Sequence, residues 1–118
     1  GVGPRSPDAT PAGDGSLGVL EGMSSRIDDD GNQPVRWWRR ADCCGETAGT
    51  LALAAAALGD PRCADVARNV GDWLLERSIL TGGKRALPAD PAFGLIGWND
   101  VARYHGDMDG YGVYYADD

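Results

Sequence analysis

This 118-residue sequence has few of the residues that build metal sites and disulfide frameworks. It contains one His and three Cys, which are Cys43, Cys44 and Cys63. A structural zinc site needs Cys-x-x-Cys or His spacings that are absent here, and an odd number of cysteines leaves one thiol unpaired. We therefore predict no metal, no cofactor, and small reduced thiols of the kind found in a reducing compartment.

Positive charge and long apolar runs are also scarce. Eleven Lys and Arg face 18 Asp and Glu, for a net charge of -7. Nucleic-acid binding rests on clustered basic residues, so we predict no nucleic-acid partner. No stretch approaches the roughly 18 apolar residues of a membrane span, and no signal sequence follows Gly1. These features predict no membrane partner and a cytoplasmic location, while Gly1 in place of Met suggests a truncated start.

The composition changes along the chain. Residues 1–16 read "GVGPRSPDATPAGDGS" and contain a single large aliphatic residue, which predicts a disordered segment or linker. Residues 17–118 carry nearly all of the large apolar side chains and form the predicted domain. Within it, "IDDDGNQPV" has turn residues between two short apolar stretches and predicts a hairpin of extended segments.

The strongest structural signal is the triplet Gly59-Asp60-Pro61. Gly suits the left-handed residue that ends a helix, Asp caps the next helix, and Pro is tolerated as its first residue. This triplet predicts helices over residues 42–58 and 61–79. The second helix has apolar residues at spacings of three and four, which indicates one buried face with Trp73 in the core.

The first helix has no charged side chain between Thr47 and Gly59. A helix that is apolar all round is buried all round, and one partner helix cannot cover it. We therefore expect an all-α fold in which an αα-hairpin belongs to a larger layered helical assembly, with the chain as a fragment of that assembly.

Several stretches resemble a bacterial group with the six-hairpin glycosidase architecture, the (α/α)6 toroid. They are "GVLEGMSSRI", "GNQPVRWWRRADCCGETAGTLALAAAALGD", "VARNVGDWLLERS", "FGLIGWND" and "YYADD". The resemblance implies a carbohydrate substrate and an enzyme, most often a glycoside hydrolase acting on uronic acid- or arabinose-containing glycans. A polysaccharide lyase or an epimerase is a variant of the same expected class of carbohydrate-processing enzyme.

The resemblance also implies a substrate cleft where the inner helices of the toroid begin. Carboxylates there would provide acid and base chemistry, aromatic rings would stack on sugars, and guanidinium groups would bind a uronate. The implied catalytic residues are Asp42, Glu46, Asp117 and Asp118. The implied substrate-binding residues are Arg36, Trp37, Trp38, Arg39, Trp98, His105 and Tyr115, with Arg40 and Tyr114 beside them.

Each candidate has a simpler structural explanation. Asp42 fits the N-cap of the first helix, and Glu46 fits a partner for a nearby Arg. His105 fits a loop cap, although a Cys nucleophile paired with His105 is another possibility. For the whole chain, the alternative function is a tetratricopeptide-like interaction module. No second copy of the hairpin follows at a spacing of about 34 residues, which counts against that alternative.

Overall fold

A computed structural model describes residues 12–100, and the regular structure in this range is mainly helical with one small sheet. In chain order the elements are β1 (Gly22–Met23), β2 (Val35–Arg36), α1 (Ala41–Leu58), α2 (Pro61–Asp72), a π-helical turn (Trp73–Arg77) and a 3-10 turn (Gly83–Ala86). None of the helices between residues 12 and 100 combines the length and the apolar character that crossing a bilayer requires.

The predicted stop and restart between the two helices is confirmed. Gly59 ends α1 in the left-handed conformation with φ 66°, and its N–H donates to the carbonyl of Ala55 at 2.9 Å. Asp60 caps α2 by accepting a 2.9 Å hydrogen bond from the backbone N–H of Arg62, and Pro61 is the first residue of α2. The two helices consequently pack against each other across a two-residue connection, an arrangement termed an αα-hairpin.

The second helix ends earlier than predicted. Its α-helical part stops at Asp72, the chain continues as the π-helical turn, and Ser78 is extended. The carbonyl of Leu74 accepts the hydroxyl of Ser78 at 2.7 Å and that of Thr81 at 3.0 Å. Side-chain hydroxyls thus replace the backbone donors that a helix continuing to residue 79 would supply.

The core lies between α2, the π-helical turn and the start of α1. Its buried members are Ala41, Cys44, Val70, Trp73, Leu74 and Leu80. The predicted core position of Trp73 is confirmed, since this side chain is 6% exposed. Burying a large apolar side chain contributes about 1.5 to 3 kcal/mol, so each large apolar member of this core stabilises the fold by an amount of that order.

Most of α1 is not covered within the described range. Leu53 and Leu58 are 74% and 76% exposed, whereas Ala41 and Cys44 are the buried residues of the helix. The expectation that α1 is buried on all sides is therefore not met by its packing against α2. A partly exposed apolar helix is what the sequence predicts when only one partner helix is present.

The predicted hairpin before α1 is confirmed as a two-stranded antiparallel sheet. Gly22 lies opposite Arg36, and Met23 lies opposite Val35. Asp28 holds the connecting turn, because its carboxylate and its carbonyl accept hydrogen bonds from the backbone N–H groups of Asn32 and Gly31. The hairpin brings β2, and the residues that follow it, to the N-terminal end of α1.

The residues just before this hairpin contact α2. The carbonyl of Asp14 accepts a 2.8 Å hydrogen bond from the Asn69 side chain, and Gly15 is buried against Val66 and Val70. The segment 1–16 that the sequence assigns to a linker therefore includes residues with defined contacts, while residues 1–11 lie outside the described range.

Candidate functional site

Three chain segments meet at the N-terminal end of α1. Residues 37–40 follow β2 and lead directly into α1. β1 lies beside β2, and residues 98–100 pair with residues 39–41. Arg40 and Asn99 form an isolated antiparallel bridge, and the N–H of Ala41 donates to the carbonyl of Trp98 at 3.1 Å. This convergence places carboxylates, guanidinium groups and indoles at one end of the helix.

Asp42 lies in the first turn of α1 and is not its N-cap, which corrects the sequence-based assignment. The helix begins one residue earlier than predicted, at Ala41, so Arg40 occupies the cap position. Asp42 Oδ1 accepts a 2.7 Å hydrogen bond from the N–H of Cys43, and Asp42 Oδ2 pairs with a guanidinium nitrogen of Arg40. The carboxylate is thus held at the positive end of the helix dipole.

Glu21 is the central anion of the cluster, and the sequence patterns did not identify it. One carboxylate oxygen accepts from Arg36 and the other accepts from the indole N–H of Trp38. Arg40 Nη1 lies 3.9 Å from the same carboxylate. The Glu21 side chain is only 9% exposed, so these contacts take place largely away from water. Glu21 directly precedes β1, so the pairing of β1 with β2 is what brings it beside Arg36 and Trp38.

Arg39 and Asp100 form a second ion pair across the bridge. Arg39 Nε lies 3.2 Å from Asp100 Oδ2, and the backbone N–H of Arg39 donates to Asp100 Oδ1 at 2.8 Å. Burial raises the pKa of Asp100 above its usual range, against the opposing effects of the Arg39 hydrogen bond and charge. Desolvation of the charged form therefore outweighs the attraction of the guanidinium.

Each arginine of the cluster also covers an indole ring. Arg40 lies 5.1 Å from the ring centre of Trp98, Arg39 lies 5.1 Å from that of Trp73, and Arg36 lies 5.8 Å from that of Trp38. These distances are within the range of cation–π attraction. Trp38 is buried, whereas Trp37 and Trp98 are half-buried and keep some accessible surface.

Glu46 lies one helical turn beyond Asp42 and differs from it in environment. Its side chain is exposed, and no residue between 12 and 100 forms an ion pair with it. Together with Thr47, Thr50 and Leu51 it lines a depression of about 310 Å³. The pairing with Arg that the sequence suggested is therefore not formed within this range. The Glu46 side chain is instead exposed at the edge of this depression.

The cysteines beside the site do not have the properties of nucleophiles. Burial, followed by the charge of Asp42, raises the pKa of Cys43 to about 11, and burial raises the pKa of Cys44 as well. A reactive Cys needs a stabilised thiolate, and these surroundings favour the neutral thiol. All three thiols are free, and no group of three or more His, Cys, Asp or Glu within residues 12–100 is placed to hold a metal ion.

The structure thus brings together Arg36, Arg39, Arg40, Asp42 and Trp98 from the predicted set, with Trp37 and Trp38 on the same segment and Glu46 one turn away. His105, Tyr115, Asp117 and Asp118 lie outside the described residues. No protein-family model, no curated protein and no solved structure matches this chain.

Proposed function

We propose that this chain is part of a carbohydrate-processing enzyme, by preference a glycoside hydrolase of the six-hairpin type acting on uronic acid- or arabinose-containing glycans. The supporting observation is the clustering of Asp42, Arg40 and Trp98 at the N-terminal end of α1. A glycoside hydrolase needs carboxyl groups beside the glycosidic bond, and an aromatic ring near them offers a surface for the sugar. In the resembled toroids the substrate cleft lies at the same end of the inner helices.

In this proposal Asp42 and Glu46 have different tasks. Asp42 pairs with a guanidinium and accepts a backbone hydrogen bond, so its carboxylate is held in a fixed orientation at the start of α1. Glu46 faces an open depression, so a sugar hydroxyl or glycosidic oxygen can reach it. Trp98 is half-buried and lies against Arg40, the same residue that pairs with Asp42, so its ring is the one proposed to contact the sugar.

The test is to replace Asp42 with Asn in the full-length protein and to measure hydrolysis of uronic acid and arabinose glycosides. Losing a catalytic carboxylate costs at least about a hundredfold in turnover. Asp65→Asn is the matched control, because Asp65 pairs with Arg68 at 3.0 Å on the outer surface of α2. Both variants lose one ion pair, worth up to about 1 kcal/mol of stability, and only Asp42→Asn should lose turnover. Equal activity in both variants would remove Asp42 from the site.

One observation favours the alternative, a helical-repeat interaction module. Leu53 and Leu58 expose the apolar side of α1, as expected of a helix that packs against further helices or a partner. An interaction module has no turnover to lose. Hydrolysis of any glycoside in the panel by the full-length protein, abolished by Asp42→Asn, would therefore rule it out.

A further inference from the structure

The three arginines that the sequence offers for binding a uronate are already engaged. Arg36 pairs with Glu21, Arg40 pairs with Asp42, and Arg39 pairs with Asp100. Three positive charges are thus matched by three carboxylates of the chain itself. Guanidinium groups attract a ligand carboxylate when they are free to form paired hydrogen bonds with it.

From this pairing we infer that the site takes an uncharged sugar, of the arabinose type, rather than a uronic acid. The inference rests on the proposed carbohydrate function and selects between its two substrate classes. A uronate carboxylate would have to displace a protein carboxylate from a guanidinium. The protein group is held in place at high effective concentration, whereas the ligand must be brought from solution.

Burial also holds Glu21 in its ion pair. Its side chain is 9% exposed, and its second oxygen accepts from the buried indole of Trp38. Moving Glu21 away from Arg36 would therefore break its hydrogen bonds with both Arg36 and Trp38. Arg36 itself is 32% exposed, so its outer edge remains available to sugar hydroxyls, which are neutral acceptors.

The remaining ring surfaces agree with a neutral ligand. A guanidinium already lies over Trp98 and over Trp38, so one face of each indole is occupied. The accessible parts of Trp37 and Trp98 offer apolar contact to the C–H face of a sugar. Stacking of that kind needs no charge on the ligand.

The experiment is titration calorimetry of the full-length protein with an arabinose oligosaccharide and a galacturonate oligosaccharide of the same length. The wild type should bind the arabinose ligand at least about tenfold more tightly. Glu21→Gln keeps an acceptor for Trp38 but frees the charge of Arg36, and it should gain at least about tenfold in affinity for the galacturonate ligand. Asp65→Asn, which frees Arg68 on the outer surface of α2, should gain nothing.

Salt dependence gives a second measurement that needs no variant. Binding of the neutral ligand should be unchanged between about 50 mM and about 500 mM salt, since no ligand charge is screened. A wild type that prefers galacturonate, with affinity that falls as salt rises, would overturn the inference while leaving the carbohydrate function intact. Binding of neither ligand would overturn both.

Discussion

Gly18 lies directly against the indole of Trp73: a Cβ added to Gly18 would fall 2.5 Å from Cε3 of that ring. Gly18 also has φ 70°, in the left-handed region that side chains disfavour. Because Trp73 is buried in the core, the ring has little room to move away. The segment before β1 is therefore packed onto the αα-hairpin at a point where only Gly fits.

Replacing Gly18 with Ala should lower the free energy of unfolding by about 2 to 3 kcal/mol, through overpacking against Trp73 and backbone strain. Gly22 is the matched control, since it has φ 106° and no atom within 4 Å of an added Cβ. Gly22→Ala should cost only the backbone term, about 1 kcal/mol. Urea denaturation of both variants measures the difference. Equal losses of unfolding free energy in the two variants would show that close packing against Trp73 adds nothing to the cost of Gly18→Ala.

Gly59→Val should destabilise the αα-hairpin by about 1 kcal/mol or more, because a β-branched residue resists the left-handed conformation that ends α1. No atom lies within 4 Å of an added Cβ at this position, so the cost comes from the backbone alone. Gly59→Asn should be milder, since Asn tolerates this conformation. The melting temperatures should rank Gly, Asn, Val from highest to lowest. An unchanged value for Val would contradict the assigned end of the helix.

Cys43 should alkylate slowly at neutral pH. Its pKa of about 11 leaves very little thiolate, whereas an unperturbed thiol titrates near pH 8.5. Iodoacetamide labelling followed by peptide mass spectrometry, over a pH series, gives the midpoint for Cys43. A model Cys peptide labelled in parallel is the control. Labelling of Cys43 as fast as the peptide at neutral pH would contradict the effect of burial and of Asp42.

Asp100 should make the folded protein less stable as pH rises from about 4, the ordinary range of an Asp carboxyl. Burial raises its pKa, so the folded state holds the proton more tightly than the unfolded state. Its stabilising contribution is complete below the unfolded pKa and is lost as pH rises through the folded value. The stability of the wild type relative to Asp100→Asn should accordingly decline over this pH range.

The contribution of Asp60 to stability should change with pH in the opposite direction to that of Asp100, so Asp60 serves as the control. Hydrogen bonds from Arg62 lower the pKa of Asp60, so its contribution is present above the unfolded pKa and is lost as pH falls. Wild type relative to Asp60→Asn should therefore gain stability with rising pH. Chemical denaturation across the pH series measures both differences. Slopes of the same sign for the two Asp residues would contradict the assigned environments.

The features that the sequence predicted correctly are set by neighbouring residues. Gly59, Asp60 and Pro61 end one helix and begin the next through their own backbone preferences. The turn at Asp28 likewise forms through hydrogen bonds within a few residues. The end of α2 was missed because Ser78 and Thr81 compete for the carbonyl of Leu74, a contact that apolar periodicity does not register.

The site was only partly predictable because contacts between distant segments build it. Glu21 joins the cluster through the pairing of β1 with β2, and Asp100 joins through its contacts with Arg39. The sequence shows the arginines as a group, but it does not show their partners. A motif such as "RWWRR" shows where positive charge is concentrated. It does not show that each charge is already neutralised.

The short connection between α1 and α2 has a consequence for the order of folding. Closing a loop of two residues costs little chain entropy, whereas joining Arg39 to Asp100 must close a loop between residues 61 positions apart. We expect the αα-hairpin to form in the folding transition state, and the pairing of residues 98–100 with the start of α1 to follow it. Mutations at Gly59 would then slow folding, while mutations at Asp100 would mainly accelerate unfolding. Nascent chains would acquire the helices before they acquire the charged cluster at the start of α1.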